Sequence, residues 1–413
     1  MRAMTTVTAH VPGFRVIERE HSIPLDHDDP DGQRITVFTR EVAAPGGEDR
    51  PYLVFLQGGP GFEATRPFSR PAVPWVERAL RDYRVLLLDQ RGTGRSTPVG
   101  EIPGANPAEQ AAYLMHFRAD AIVRDCEWIR EELGVDRWSL LGQSFGGFTS
   151  MAYLSFAPVG LREVFITGGL APIGRSVDDI YAATYRRLEE KHRQYFARYP
   201  GDAERVRDIR RRLEDGDVRL ASGDRLTARR FNQMGMWLGA SDGFERLHYV
   251  VELPFGSRAF LHDVDAAVGY ERNPIYATLH ESSYADGVAT RWSAHRVAPD
   301  AVVAGERFTA EHIFPWMFED YGALRSHAAA ADILAEHVWP RMFDPAQLAV
   351  NEVPVSATIY ANDLYVERDF ALETAEAIRG LRPWMTDEYE HNGLRADGGR
   401  ILDRLIGLAR GSV

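Results

Sequence analysis

The pentapeptide Gly142-Gln143-Ser144-Phe145-Gly146 lies between two apolar runs, "WSLL" before it and "FTSMAYL" after it. A serine flanked at two residues on each side by glycine, between a strand and a helix, has the spacing of a nucleophile elbow. Such a turn is strained and crowded, and the neighbouring strand and helix leave no room for Cβ atoms at the glycine positions. The hydroxyl then projects at a helix N-terminus, whose dipole favours an oxyanion. The bland alternative is a tight turn with an incidental serine. A hydroxyl alone is a weak nucleophile, so this chemistry also needs a histidine base and an acid to orient it. After an elbow of this type the chain order is serine, then Asp or Glu, then histidine.

That order makes a sharp test. His391, in "EYEHNGLRADGG", is the only histidine of the C-terminal strand-and-helix segment, and Asp363 ends the strand-like "VSATIYAND". Asp369, Asp387 and Asp397 compete, but Asp369 reads as a helix start and Asp387 as preceding the last strand. The alternative for the pair is a capping aspartate and a surface histidine. Acyl transfer further needs two backbone N–H groups facing the developing oxyanion. Phe145, directly after the serine, offers one. The loop "LQGGPGFE" offers the other, with Gly59 favoured, because Gly58, Gly59 and Gly61 let backbone approach a substrate.

These residues need a frame. "RPYLVFLQGGPG" and "YRVLLLDQRGTGRS" are short, nearly continuous apolar runs ending in glycine and polar residues, the pattern of parallel strands buried on both faces. "FRVIEREHSIPL" and "QRITVFTREVA" alternate and read as an antiparallel pair at a sheet edge. Helical spacing in "DAIVRDCEWIREELG" and a further strand in "LREVFITGGLAP" complete an α/β alternation. From about Ser176 the texture turns helical and stays so to about Gln347, until "VPVSATIYANDLYV" resumes the strand pattern. The expected organisation is an α/β core in two parts, 1–172 and 348–413, with a helical cap domain inserted over 173–347.

The 413 residues carry a formal charge of −12, which disfavours nucleic acid and anionic membrane surfaces as partners. No apolar run reaches transmembrane length and the first residues lack the apolar segment of a signal peptide, so a cytoplasmic protein is the default expectation. The one cysteine, Cys126, excludes an internal disulfide framework or a multi-cysteine metal site, and its amphipathic setting reads as a packed thiol. "DQRGTGRS" lacks the G-K-[ST] ending of a phosphate loop, and Asp89, Arg91 and Arg95 read as loop-bracing ion pairs. No metal or cofactor is called for. The sequence sets no oligomeric state.

With "QGGPG", "DQRGTGRS", "GQSFGG" and "HNGLRADGG" in this order, roughly from Pro51 to Gly399, the chain resembles the prolyl aminopeptidases (proline iminopeptidases) of the α/β-hydrolase superfamily. It departs from them at Gln57, where the family usually has histidine before "GGPG", and the "HNGLRADGG" ending looks like the larger-bodied branch. The resemblance implies an α/β-hydrolase fold with a mostly parallel central sheet and an inserted helical cap. It also implies release of an N-terminal residue, typically proline, from a short peptide or aminoacyl substrate through an acyl-enzyme. Ser144 would attack, His391 would carry the proton, Asp363 would hold the imidazole, and the N–H groups of Phe145 and Gly59 would receive the oxyanion. Recognition of the protonated amine falls to carboxylates of the cap. Candidates are Glu281 in "NPIYATLHESSYADG", Glu311 in "FTAEHIFPWMFED" and Glu245 in "SDGFERLHYVVE", with Trp316, Phe314 and Tyr284 as pocket walls. An esterase or amidase using the same triad, or a non-catalytic hydrolase-fold binding protein, are the alternatives. Halide- or epoxide-opening relatives need a carboxylate where Ser144 stands.

Overall fold

Tyr52–Leu56 and Val355–Tyr360 are buried along their whole length, so neither face of either strand meets solvent. Strands of this kind require cover on both sides. The computed structural model describes residues 4–69 and 72–413, and sets them in one nine-stranded sheet. The strands are β1 (Met4–Val11), β2 (Phe14–Pro24), β3 (Arg34–Ala43), β4 (Tyr52–Leu56), β5 (Arg84–Asp89), β6 (Trp138–Gln143), β7 (Leu161–Thr167), β8 (Val355–Tyr360) and β9 (Leu381–Thr386). They lie in the order β1-β2-β3-β5-β4-β6-β7-β8-β9. The pairs from β1 to β5 are antiparallel, and those from β5 to β9 are parallel.

Two expectations need adjusting. The β2–β3 pair is antiparallel as read, but the outer edge belongs to β1, where Thr6 to Ala9 are exposed. A strand with exposed side chains along its middle leaves no periodic apolar signal. β9 ends at Thr386, so Asp387 follows the last strand instead of preceding it.

Helices cover both faces. α1 (Pro74–Ala79) and the C-terminal helix Gly393–Arg410 pack Trp75, Val76, Ile401 and Leu405 on one side. On the other side lie α2 (Pro107–Leu114), α3 (Ala119–Glu132) and α4 (Phe145–Phe156), with Ile122, Cys126, Phe148 and Met151 in the core. Each fully buried side chain of this size is worth about 1.5–3 kcal/mol in transfer free energy. Cys126 is a packed thiol, its acidity suppressed by burial.

Between β7 and β8 no strand occurs among the described residues, only an isolated bridge from Arg219 to Arg225. This region opens with α5 (Val177–Arg198), whose first turn is capped by the Ser176 hydroxyl accepting the Asp179 N–H. It builds its own core from Tyr181, Leu188, Phe231, Leu247, Phe260 and Phe308. We propose 173–347 as the cap on the strength of this core, with Ile275, Leu279, Trp339 and Phe343 of the same stretch packing into the core beneath the sheet. Tyr284 packs against both that core and the core beneath the sheet. Among the described residues no helix is long and apolar enough to cross a membrane.

Candidate active site

Ser144 is the single residue between β6 and α4, with φ 54° and ψ −123°. That conformation is costly for a residue with a Cβ and persists only where the surroundings impose it. The Ser144 N–H donates to the Thr167 carbonyl at the end of β7 (3.0 Å), and the Ser144 carbonyl accepts the Gly147 N–H (2.7 Å). A Cβ on Gly146 would stand 2.5 Å from the carbonyl carbon of Leu56, and one on Gly142 would stand 2.5 Å from Ser150 Oγ. The crowding expected from the motif is therefore real, and at Gly146 the obstacle is the backbone of β4. Gly146→Ala is expected to destabilise by roughly 3 kcal/mol or more, because no side-chain movement relieves the clash. A thermal melt followed by circular dichroism checks this; an unchanged midpoint would contradict it.

The other two members of the expected triad are paired. His391 Nδ1 lies 2.8 Å from Asp363 Oδ2, while Asp363 Oδ1 accepts the backbone N–H groups of Tyr365 (2.9 Å) and Val366 (3.1 Å). With both oxygens bonded, the Asp363 carboxylate is fixed in orientation and Nδ1 of the imidazole carries the proton, leaving Nε2 free as a base. The ring of Tyr365 meets His391 edge-on at 4.9 Å between centroids. The turn after β7 connects this pair to the elbow. A Cβ on Gly168 would come 3.2 Å from His391 Nδ1, and one on Gly169 would press on the Ser144 carbonyl. Ser144 and His391 each keep 8% exposure, so both are reachable, whereas Asp363 is buried.

Gly58 lies against the nucleophile from the β4 side, since a Cβ there would be 3.0 Å from Ser144 Cβ. Among the described residues no hydrogen bond uses the N–H of Phe145 or of Gly59, so both remain available to an oxyanion. Gln57 turns its amide toward Gln143 Oε1 (3.4 Å), and its carbonyl accepts Gln90 Nε2 (2.8 Å). The side chain that replaces the family's usual histidine thus braces the elbow from outside.

The three cap glutamates occupy different positions. Glu311 faces the triad: it is partly buried, accepts the Tyr276 hydroxyl (3.1 Å), and feels the charges of His391 and Asp363. Burial pushes its carboxyl up to about 7, against the pull of His391 and the Tyr276 hydroxyl. Burial in turn draws His391 down, yet the charge and hydrogen bond of Asp363, with Glu311 and Glu390, hold it above the ordinary histidine value. Glu281 is committed elsewhere, its oxygens accepting the N–H groups of Ser293 (3.1 Å) and Ala294 (2.8 Å) beside a cavity of about 20 Å³. That volume suits a single water. Glu245 pairs with Arg198 (2.7 Å) and the Tyr199 hydroxyl (3.3 Å).

The aromatic candidates divide similarly. Tyr284 lies within the fields of Glu311 and Asp363 and meets Phe148 at 5.6 Å. Phe314 stacks on Trp316 (5.7 Å), and Trp316 carries the guanidinium of Arg229 at 4.7 Å, so this pair belongs to the cap's own packing.

Comparison with known proteins fits this geometry. Residues 51–258 match the family described as alpha/beta hydrolase fold. A proline iminopeptidase of Aeromonas sobria is 49% identical over 94% of this chain and 95% of its own length. One from Aspergillus aculeatus is 34% identical over 95% of this chain and 93% of its own. The chain belongs to the proline iminopeptidase family of α/β hydrolases.

In this iminopeptidase-family chain several residues at the site carried no signal of their own. Tyr276 and Tyr365 flank Glu311 and His391, yet in sequence they are two tyrosines among sixteen. Their proximity to Glu281 and Asp363 in the chain was the available clue. The motif "DQRGTGRS" also needs correction. Among the described residues Asp89 forms no ion pair; it accepts the N–H groups of Ala64 (3.2 Å) and Arg95 (3.0 Å), bracing the glycine-rich loop through backbone. Arg91 pairs instead with buried Asp125 on α3 (2.7 Å), and Arg95 reaches Glu18 and Glu20 on β2 (2.8 Å each). The residue types predicted ion pairing, but only the sheet order reveals which acids lie within reach.

Proposed function

We propose that this chain is a serine aminopeptidase that releases an N-terminal residue, most favourably proline, from short peptides or aminoacyl amides. Ser144 Oγ attacks the carbonyl carbon of the first residue while His391 Nε2 takes its proton, and Asp363 stabilises the resulting imidazolium. The N–H groups of Phe145 and Gly59 hydrogen-bond the oxyanion of the tetrahedral intermediate. As the C–N bond breaks, the imidazolium returns its proton to the leaving amine. Water, deprotonated by the same imidazole, then hydrolyses the acyl-enzyme and regenerates the Ser144 hydroxyl.

The observation that carries the aminopeptidase reading is the Glu311 carboxylate facing His391 among Tyr276, Tyr284 and Tyr365. An esterase has no use for a partly buried carboxylate beside its base. An enzyme that must seat an ammonium group next to the scissile carbonyl does, and apolar ring faces suit a pyrrolidine. Glu281 and Glu245 are weaker candidates as amine ligands, since the hydrogen bonds they make use their oxygens elsewhere.

The test compares proline p-nitroanilide with its N-acetylated form. Turnover of the free amine is expected to exceed that of the blocked one by about 30- to 1,000-fold, the range for a buried charge partner left unpaired. Equal rates would reject amine recognition and favour an esterase or amidase. A fluorophosphonate probe is expected to label the wild type at Ser144 and to fail with His391→Ala; equal labelling of both would favour a binding protein without a working triad.

A further inference from the structure

The loop that carries His391 is held by the cap as well as by the sheet that precedes it. The His391 N–H donates to the Gly239 carbonyl (3.1 Å). The Ser241 hydroxyl accepts the Glu390 N–H (3.2 Å) and donates to Asn392 Oδ1 (2.9 Å), which also accepts the Ser241 N–H (2.9 Å). From α5, the Lys191 ammonium reaches Glu390 Oε1 at 2.5 Å. The same cap segment touches the loop after β8: the Tyr365 hydroxyl bonds the Met236 carbonyl, and a Cβ on Gly239 would run into the Tyr365 ring.

Two facts set Lys191 apart from an ordinary ion-pairing residue. It is 3% exposed, so its charge is removed from water and depends on Glu390. It is also the single lysine of the chain; every other member of the 48 Lys and Arg residues is an arginine. A compact ammonium on a flexible stem fits an enclosed position opposite one carboxylate oxygen, where a planar guanidinium would need space and partners for five donors.

We propose that Lys191, Glu390 and Ser241 are positioning residues for the general base, through which the cap fixes His391 relative to Ser144. This rests on the triad assignment above. In consequence the cap does more than wall the substrate pocket: without its grip on residues 390–392 the imidazole is not held for proton transfer. The charged groups facing His391 are Asp363 from the loop after β8, Glu311 from the cap, and Glu390 in its own loop, with Lys191 behind Glu390.

The experiment measures steady-state kinetics, fluorophosphonate labelling rate and the pH dependence of kcat/KM for Lys191→Met, Ser241→Ala and Glu390→Gln. For Lys191→Met and Ser241→Ala, kcat and the labelling rate are expected to fall together by about ten- to a hundredfold, the scale for a misplaced catalytic group, with KM within about twofold. The probe carries no amine, so loss of labelling reads the Ser144–His391 relation and not amine binding. Glu390→Gln removes an anion that favours the imidazolium and leaves Lys191 uncompensated, so the acid limb is expected at lower pH than in wild type. A loss confined to KM would overturn the proposal. So would folded variants with unchanged labelling and an unmoved acid limb. Should Lys191→Met fail to fold, Ser241→Ala and Glu390→Gln, which alter one hydroxyl and one charge, decide the matter. Failure of the triad assignment itself would show separately, as activity surviving in Ser144→Ala.

Discussion

Replacing Ser144 with alanine is expected to lower kcat for proline p-nitroanilide by about 10⁵-fold or more, with KM little changed. The size follows from the unit character of the triad: once the nucleophile is gone, the base has nothing to deprotonate and only the oxyanion donors and binding remain. For the same reason Ser144→Ala combined with His391→Ala is expected to be no worse than Ser144→Ala alone. The substitution keeps a Cβ at the position with φ 54°, so the local strain and the fold are retained. Initial rates on enzyme whose thermal melt matches wild type decide the question; a loss below about tenfold would mean that the amide is cleaved without this hydroxyl.

The second large effect is expected at Glu311. Glu311→Gln keeps the shape and the bond to Tyr276 but removes the charge, and is expected to cost about 2–4 kcal/mol in kcat/KM for a free-amine substrate. The pH profile carries the sign. Burial raises Glu311 from its ordinary 4.5 to about 7, so in the free enzyme the carboxylate forms only as pH rises through about 7. His391 must also be neutral to act as base. Wild-type kcat/KM is therefore expected to climb through about pH 7 and to decline as the substrate amine, with an ordinary pKa of about 8, loses its proton. Stability runs the other way. A carboxyl whose folded pKa exceeds its unfolded one stabilises the fold fully below the unfolded value, and that contribution is lost as pH rises through the folded value. Glu311→Gln is thus expected to melt higher than wild type at pH 8, with the gap closing toward pH 5. Equal kcat/KM for the two enzymes would remove Glu311 from amine recognition.

What could be read from the chain follows from how local each signal is. The elbow is local: Gly146 crowds against β4 and Gly142 against the start of α4, each glycine being two residues from the serine, a constraint visible in five letters. The alternation of buried strands and amphipathic helices is also local, and it gave the parallel half of the sheet. The pairing of Asp363 with His391 was legible because chain order restricts both, although 28 residues separate them. The cap resisted for a physical reason. Its acids look alike in sequence, and only three-dimensional packing turns Glu311 toward His391 while committing Glu281 to the amides of Ser293 and Ala294. β1 escaped notice because Thr6 to Ala9 are exposed and leave no buried face to mark it.

The register between β7 and β8 has a consequence for biosynthesis. Val164 pairs with Val355, 191 positions later, and between β7 and β8 lie only helices, irregular segments and one isolated bridge. At about 5–20 residues per second, a ribosome needs roughly 10–40 s to deliver the partner once β7 has emerged. Throughout that interval β7, buried in the folded chain at every position but Arg162, presents an open row of N–H and C=O groups, the surface most prone to adventitious pairing with another nascent chain. The long insertion between β7 and β8 therefore fixes the period in synthesis when a chaperone is most needed.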